Sequence, residues 1–139
     1  MRAASLYRQA VPSLAALPPL LLVMLGGSVG AGLRYLVGAW TVANIDSNLP
    51  FGTWTVNVVG GLLMGLLTGW LIRSGGDEPL RLLLGVGVLG GFTTFSAFSL
   101  EVFAMLTRGD VVLAAAYAVS SVAGSIVALF AGAMLVRLS

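Results

Sequence analysis

Cysteine, histidine and lysine are all absent from this sequence of 139 residues, and charge of either sign is scarce. Without cysteine the chain forms no disulfide and no thiolate metal site, and without histidine it has no imidazole base or ligand. Seven arginines and five acidic residues make only 9% of the chain charged. A globular surface is roughly a quarter or more charged. The composition therefore excludes a soluble domain, and no loop is long enough to hold a soluble catalytic domain.

In place of charge, the chain has four long charge-free stretches. They are between 19 and 26 residues long and run over Gln9–Leu33, Ser47–Ile72, Leu82–Leu100 and Val111–Val136. Because a membrane-spanning helix needs about 20 apolar residues, the pattern predicts an all-α membrane protein with four transmembrane helices. We expect them at about Leu20–Val42, Phe51–Ile72, Arg81–Leu106 and Val111–Val136. The short connections between them favour antiparallel neighbours.

Two parts of unequal size are expected along the chain. Residues 1–17 are predicted to be a short cytoplasmic N-terminal extension, and residues 18–139 the four-helix transmembrane unit. A secretory signal is an alternative interpretation of the first stretch, but the apolar run continues past any plausible cleavage point. The net charge of +2 is too small and dispersed to suggest nucleic-acid binding.

Glycines recur at four-residue spacing in the first two predicted helices. Such residues share one face of a helix and let two backbones approach closely in lipid, so packing is the favoured role. They are Gly26, Gly30 and Gly38 in the first helix, and Gly61, Gly65 and Gly69 in the second.

The third predicted helix has a weak point in its middle. The pair Gly90-Gly91 is followed after one residue by Thr93-Thr94, and both residue types disfavour a helix interior. The residues leave open whether the helix only kinks or breaks near mid-membrane. A break is tolerated where protein or a water-filled cavity surrounds it. Freed carbonyl groups there would bind a cation, and freed N–H groups would favour an anion.

Three polar side chains would be costly in lipid: Arg34, Asn57 and Glu101. For Arg34 and Glu101 we favour a structural role, which anchors a helix end or pairs with another side chain. Asn57 faces along the glycine stripe of the second helix, where an interhelical hydrogen bond and a place in a permeation path are equally consistent with its position.

Hydroxyl, amide and aromatic side chains supply a further set of candidates. Hydroxyl and amide donors replace water around an anion, and the edges of aromatic rings carry positive potential. A path with such donors and no ring of acids would suit a small anion, whereas the alternative is that the phenylalanines are ordinary apolar filling. The candidates are Asn57, Ser96, Ser99, Tyr117 and Ser121, interleaved with Phe95 and Phe98, while the role of Ser125 stays open. With no carboxylate pair, metal-spaced cluster or activated nucleophile, we expect no enzyme.

Three motifs are similar to those of a known family. Residues 26–35, 50–60 and 90–101 resemble the first-, second- and third-helix motifs of the Fluc (CrcB-like) fluoride channels, in the same order and spacing. The resemblance extends from about Gly26 to Gly132, is looser in the fourth helix, and does not include Met1–Leu17. Ala97 departs from the pattern, because the family often has threonine there.

The resemblance implies a passive fluoride-selective channel that exports fluoride and so relieves its toxicity. It implies an antiparallel homodimer with two pores in the bacterial inner membrane, formed by chains of dual topology. It places Asn57, Phe95, Phe98, Ser96, Ser99, Tyr117 and Ser121 along the fluoride pore. A structural sodium ion at the dimer centre would be held by the backbone carbonyls of Gly90 and Thr93. Arg34 would have a vestibule or structural role.

Two functions from other classes are weaker alternatives. A proton-coupled small multidrug exporter is also a four-helix membrane protein, but it needs an acid in its first helix, where this chain has Arg34 instead. A membrane assembly subunit without transport would explain the glycine stripes but not the polar and aromatic set.

Arginine is unevenly distributed between the two sides of the predicted bundle. Arg108 lies on one side, and Arg34 is intramembrane. The side that holds both termini and the second loop carries Arg2, Arg8, Arg73, Arg81 and Arg137. Positive loops stay in the cytoplasm, so this bias favours insertion with the N-terminus inside. An antiparallel dimer then forms either as a homodimer that includes a minority of inverted chains or with a paralogous subunit of opposite bias, and we favour the homodimer.

Overall fold

The computed structural model describes residues 14–47 and 49–138, which form helices and the turns that join them. A single 3₁₀ turn at Leu14–Ala16 precedes the first long helix. The helices are α1 (Pro19–Asn44), α2 (Phe51–Arg73), α3 (residues 78–92), α4 (Ser96–Thr107) and α5 (Val111–Leu138). Within α3, the segment Arg81–Leu89 is π-helical.

Four segments of the described chain are long and apolar enough to cross a membrane. They are Pro19–Asn44, Phe51–Arg73, Glu78–Thr107 and Val111–Leu138, so α3 and α4 are two halves of the third span. The prediction of an all-α, multi-pass membrane protein with four transmembrane helices is confirmed. Several helices run past the predicted ends because polar groups at those ends are hydrogen-bonded. Arg73 donates to the Val136 carbonyl at 3.1 Å, and Asp77 accepts from the Leu80 N–H at 3.0 Å.

The predicted N-terminal extension is mostly outside the described residues, since residues 1–13 are not among them. The division into residues 1–17 and 18–139 therefore stays a prediction. Proline occupies the start of α1, where its fixed φ suits the first turn and its missing N–H costs nothing.

A glycine seam joins α1 to α3. A Cβ atom added to Gly26 would collide with the Leu83 carbonyl oxygen, and one added to Gly30 would collide with that of Val88. These backbones approach closely because neither glycine carries a side chain. Gly38 lies beyond this seam, since a Cβ atom there would meet no atom within 4 Å.

A second glycine seam joins α2 to α5. A Cβ atom added to Gly61 would lie 2.5 Å from the Ser125 carbonyl oxygen, and one added to Gly65 would collide with that of Leu129. At Gly69 it would lie 3.0 Å from the Cβ atom of Val136. The predicted packing role of this stripe is confirmed.

The third span is broken between α3 and α4. Helix α3 ends at Phe92, Thr93 has extended backbone with φ −77° and ψ 159°, and α4 begins at Ser96. Of the two alternatives that the residues left open, the structure has the break, and the continuous kinked helix is wrong. The Thr93 N–H still donates to the Leu89 carbonyl and the Phe95 carbonyl still accepts from the Ser99 N–H, so it is the main chain around Thr94 that needs partners outside a helix.

Candidate functional site

The amide of Asn57 holds the main chain at the break. Its Nδ2 donates to the Thr94 carbonyl at 3.0 Å, and its Oδ1 accepts from the Thr94 N–H at 2.8 Å. Asn57 lies on α2, so this pair of bonds ties the second span to the interrupted third span. One of the two N–H groups of the amide remains to contact a ligand.

Arg34 contacts the break from α1. Its Nε donates to the Gly91 carbonyl at 3.2 Å. Arg34 also lines a cavity of about 600 Å³, which Thr53, Thr94 and Ala97 line as well. The predicted alternatives for Arg34, a structural or a vestibule role, are thus both compatible with its position.

A cavity of about 400 Å³ lies where α2, the break and α5 meet. Its polar lining comes from Asn57, Thr93, Thr94, Ser121 and Ser125. Ser121 is only 2% exposed. Within the described chain, the hydroxyl groups of Ser121 and Ser125 make no hydrogen bond. Both hydroxyls are therefore available to donate to a small ligand in this cavity.

Three aromatic rings follow one another beside the cavity. The ring centroids of Phe95 and Phe98 are 5.3 Å apart at an interplanar angle of 43°. Those of Phe98 and Tyr117 are 5.5 Å apart at 40°. Both phenylalanines line the cavity. Aromatic rings carry partly positive edges, so a ring that turned its edge to the cavity would add positive potential to the apolar part of the lining.

The acidic side chain of Glu101 is held by two hydroxyl groups. Thr53 Oγ1 donates to Glu101 Oε1, and Tyr117 Oη donates to Glu101 Oε2, each at 2.6 Å. These three residues belong to α2, α4 and α5, so the carboxyl group ties three helices together. The expected pairing of Glu101 is found with the hydroxyls of Thr53 and Tyr117.

Not every predicted pore residue lines the 400 Å³ cavity. Tyr117 lies outside it, in the buried cluster with Phe98, Met105 and Ala114, and its hydroxyl hydrogen is directed to Glu101. Ser99 donates to the Phe95 carbonyl at 2.8 Å, and Ser96 Oγ is 3.4 Å from Thr94 Oγ1. The structure therefore brings Asn57, Phe95, Phe98 and Ser121 to this cavity and places Ser96, Ser99 and Tyr117 outside its lining.

Two residues of the site were missed by sequence reasoning. Thr94 accepts the Ala97 N–H on its Oγ1 at 3.2 Å, and Thr53 supplies one of the two donors to Glu101. The available signal for Thr53 was its four-residue spacing from Asn57, which puts both on one face of α2. For Thr94 the signal was a hydroxyl placed at the first residues after a break, where it can cap the following helix.

The break also offers oxygen atoms to a cation. The described residues contain no group of three or more histidine, cysteine or acidic side chains that could hold a metal. The oxygen atoms near Gly90 and Thr93 are neutral main-chain carbonyls at an interrupted helix. Hard cations prefer oxygen ligands, so these residues fit an alkali cation and do not fit a transition metal.

Comparison with known proteins agrees with these features. The family described as "CrcB-like protein, Camphor Resistance (CrcB)" matches residues 21–133. A protein of Novosphingobium aromaticivorans named "Fluoride-specific ion channel FluC" is 55% identical over 117 residues, which cover 83% of this chain and 93% of that protein. Proteins with the same name from Sphingopyxis alaskensis and Caulobacter sp. (strain K31) are 53% and 52% identical. They match 83% and 85% of this chain and 92% and 94% of their own lengths.

The matched region contains the glycine seams, the broken third span and the cavity beside it. The region that matches the family therefore contains the residues that build the candidate site. The chain belongs to the CrcB-like family.

Proposed function

We propose that this chain is a subunit of a passive, fluoride-selective ion channel that lets fluoride leave the cell and so relieves its toxicity. The observation that carries the proposal is the 400 Å³ cavity at the helix break, which combines the unbonded hydroxyls of Ser121 and Ser125 with the rings of Phe95 and Phe98. Fluoride is small and strongly hydrated, so a path must replace its water with close donors. The relatives named fluoride-specific ion channels support the same ion.

The proposed path has an order along the bundle. Arg34 and the 600 Å³ cavity form an entrance, and Asn57, Phe95, Phe98 and Ser121 surround the middle. Ser96, Ser99 and Tyr117 complete the predicted pore set. Passive conduction needs no catalytic group, and the relatives are named as channels, so the protein is not proposed to be an enzyme. No observation favours the exporter or the assembly subunit.

The functional unit is proposed to be an antiparallel homodimer with two pores, in the bacterial inner membrane. Phe95 is 75% exposed in the single chain although it lines the cavity. A second copy would cover this ring and close the path. Chains of both orientations, or a paralogous partner, would supply the antiparallel arrangement.

A structural sodium ion is proposed at the centre of that dimer, held by the carbonyls of Gly90 and Thr93 from both copies. The neutral main-chain oxygens at the break suit a hard monovalent cation. The ion would stabilise the interrupted main chain, because unpaired carbonyl groups are costly in a membrane.

The direct test is fluoride release from liposomes that contain the purified protein. We expect fluoride to leave down its gradient without a proton gradient, and chloride to leave far more slowly. Equal rates for the two anions, or a strict requirement for a proton gradient, would contradict the proposal. Empty liposomes supply the leak that must be subtracted.

A further inference from the structure

Two side chains at the break take over hydrogen bonds that a continuous helix would make within its main chain. In a continuous helix the Thr94 N–H would donate to the Gly90 carbonyl, four residues earlier. Here it donates to Asn57 Oδ1 at 2.8 Å. The Ala97 N–H would likewise donate to the Thr93 carbonyl, but it donates to Thr94 Oγ1 at 3.2 Å.

The two diverted N–H groups are those that a continuous helix would direct to the carbonyls of Gly90 and Thr93. Among the described residues, neither oxygen receives the main-chain hydrogen bond that a continuous helix would give it. The carbonyl oxygens of the next residues behave differently. The Gly91 carbonyl, after Gly90, accepts from Arg34, and the Thr94 carbonyl, after Thr93, accepts from Asn57. The side chains around the break thus satisfy the carbonyls of Gly91 and Thr94 and divert the helical donors of Gly90 and Thr93.

We propose that Asn57 and Thr94 are positioning residues that create the cation site, because each diverts one N–H group away from a carbonyl that then binds the ion. This inference rests on the sodium site of the proposed function. Neither side chain touches the ion, and both act through the main chain. Asn57 therefore has two roles, one in the anion path and one in holding the cation site open.

The roles of Asn57 and Thr94 in diverting these N–H groups call for different tests. Asn57 lines the anion path, so its variants change fluoride passage whatever happens to the cation. The Thr94 hydroxyl is tested by Thr94→Val, which keeps the shape of the side chain and removes the acceptor of the Ala97 N–H together with the 3.4 Å contact to Ser96 Oγ. That N–H can then return to the Thr93 carbonyl and compete with the ion. Because Thr94 lines the same cavity as Asn57, the readout is sodium binding and not fluoride passage.

The experiment measures sodium binding to the purified full-length dimer in detergent. Thermal stability is followed as sodium replaces N-methylglucamine, and the midpoint of the stabilisation gives the apparent affinity. We expect Thr94→Val to weaken sodium binding about tenfold, the effect of one competing main-chain hydrogen bond. Thr94→Ser keeps the hydroxyl and should restore the wild-type midpoint.

The matched control is Thr107→Val, at the far end of α4. Its hydroxyl donates back to the Ala104 carbonyl at 3.0 Å and lies outside the break. This variant should bind sodium like the wild type. If Thr94→Val does not elute as a folded dimer, Thr94→Ala removes the same acceptor and replaces it in the comparison.

The outcomes separate this inference from the function on which it rests. Equal sodium midpoints for the wild type and Thr94→Val would overturn the inference and leave the sodium site intact. The same loss in Thr94→Ser as in Thr94→Val would also overturn it. If the wild type is not stabilised by sodium at all, the sodium site and this inference both fail, while fluoride release still tests the channel itself.

Discussion

The hydroxyl of Tyr117 is expected to influence fluoride passage through Glu101 and not through direct contact with the anion. Its hydrogen is already donated to Glu101 Oε2 at 2.6 Å, and the ring is only 6% exposed. The same ring packs against Phe98, with centroids 5.5 Å apart. Removal of the hydroxyl should therefore loosen the position of an aromatic ring in the proposed path.

The size of the effect follows from the type of hydrogen bond. A hydrogen bond to a charged group contributes about 1.5–3 kcal/mol, and a neutral one about 0.5–1.5 kcal/mol. Tyr117→Phe should thus lower the free energy of unfolding by about 1.5–3 kcal/mol in the wild type. In the Glu101→Gln background the same change should cost only about 0.5–1.5 kcal/mol. The coupling between the two sites is then about 1 kcal/mol or more, typical of residues in direct contact.

The assay is a double-mutant cycle of the four proteins, measured both by unfolding in mixed micelles and by fluoride release from liposomes. Tyr35→Phe is the matched control for the unfolding measurement, because Tyr35 is 73% exposed and its hydroxyl makes no hydrogen bond within the described chain. It is not used as a control for fluoride release, since Tyr35 lines the 600 Å³ cavity. The reasoning is refuted if Tyr117→Phe reduces fluoride release by the same factor with glutamate or glutamine at position 101. That result would mean that the hydroxyl acts on the anion itself.

Three other predictions concern the pore, the seams and the orientation of the chain. Phe95→Ile and Phe98→Ile should each slow fluoride release about threefold to tenfold, since an aromatic edge contact contributes about 0.5–1.5 kcal/mol. Asn57→Asp should also slow it by placing negative charge in an anion path, and full release by all three variants would return these residues to packing. Gly65→Ala should destabilise the bundle by about 1–3 kcal/mol, whereas Gly27→Ala, whose Cβ atom would meet nothing within 4 Å, should yield wild-type amounts of folded protein. Reporter fusions at the C-terminus should give mostly cytoplasmic signal, and equal signals from both sides would show that the arginine bias has no effect.

The sequence was sufficient to predict the membrane spans, because lipid excludes charge and leaves a simple pattern. It also indicated the break, because Gly90-Gly91 and the threonines after it weaken any helix. It did not reveal which atoms satisfy the broken main chain. That depends on which α2 residue lies opposite Thr94, and spacing along one helix does not determine its rotation relative to another.

Glu101 is a second residue whose partners could not be identified from the sequence. Its cost in lipid predicted that it would find a partner, and Thr53 and Tyr117 fulfil that expectation. The identity of the partners depends on how α2, α4 and α5 pack against one another. The spacing of residues within a single helix does not determine that packing. The sequence thus predicts that a polar residue in a membrane helix will have an interhelical partner. Only the three-dimensional structure shows which residue that partner is.

The two glycine seams divide the chain into two tightly packed helix pairs, α1 with α3 and α2 with α5. The broken main chain lies where these pairs meet, and each pair holds it by a side chain: Arg34 from the first and Asn57 from the second. The break is therefore the point where side chains from both pairs hold the same stretch of main chain. A change in the angle between the pairs, such as one imposed by a thinner or more tensed bilayer, is expected to alter these two hydrogen bonds.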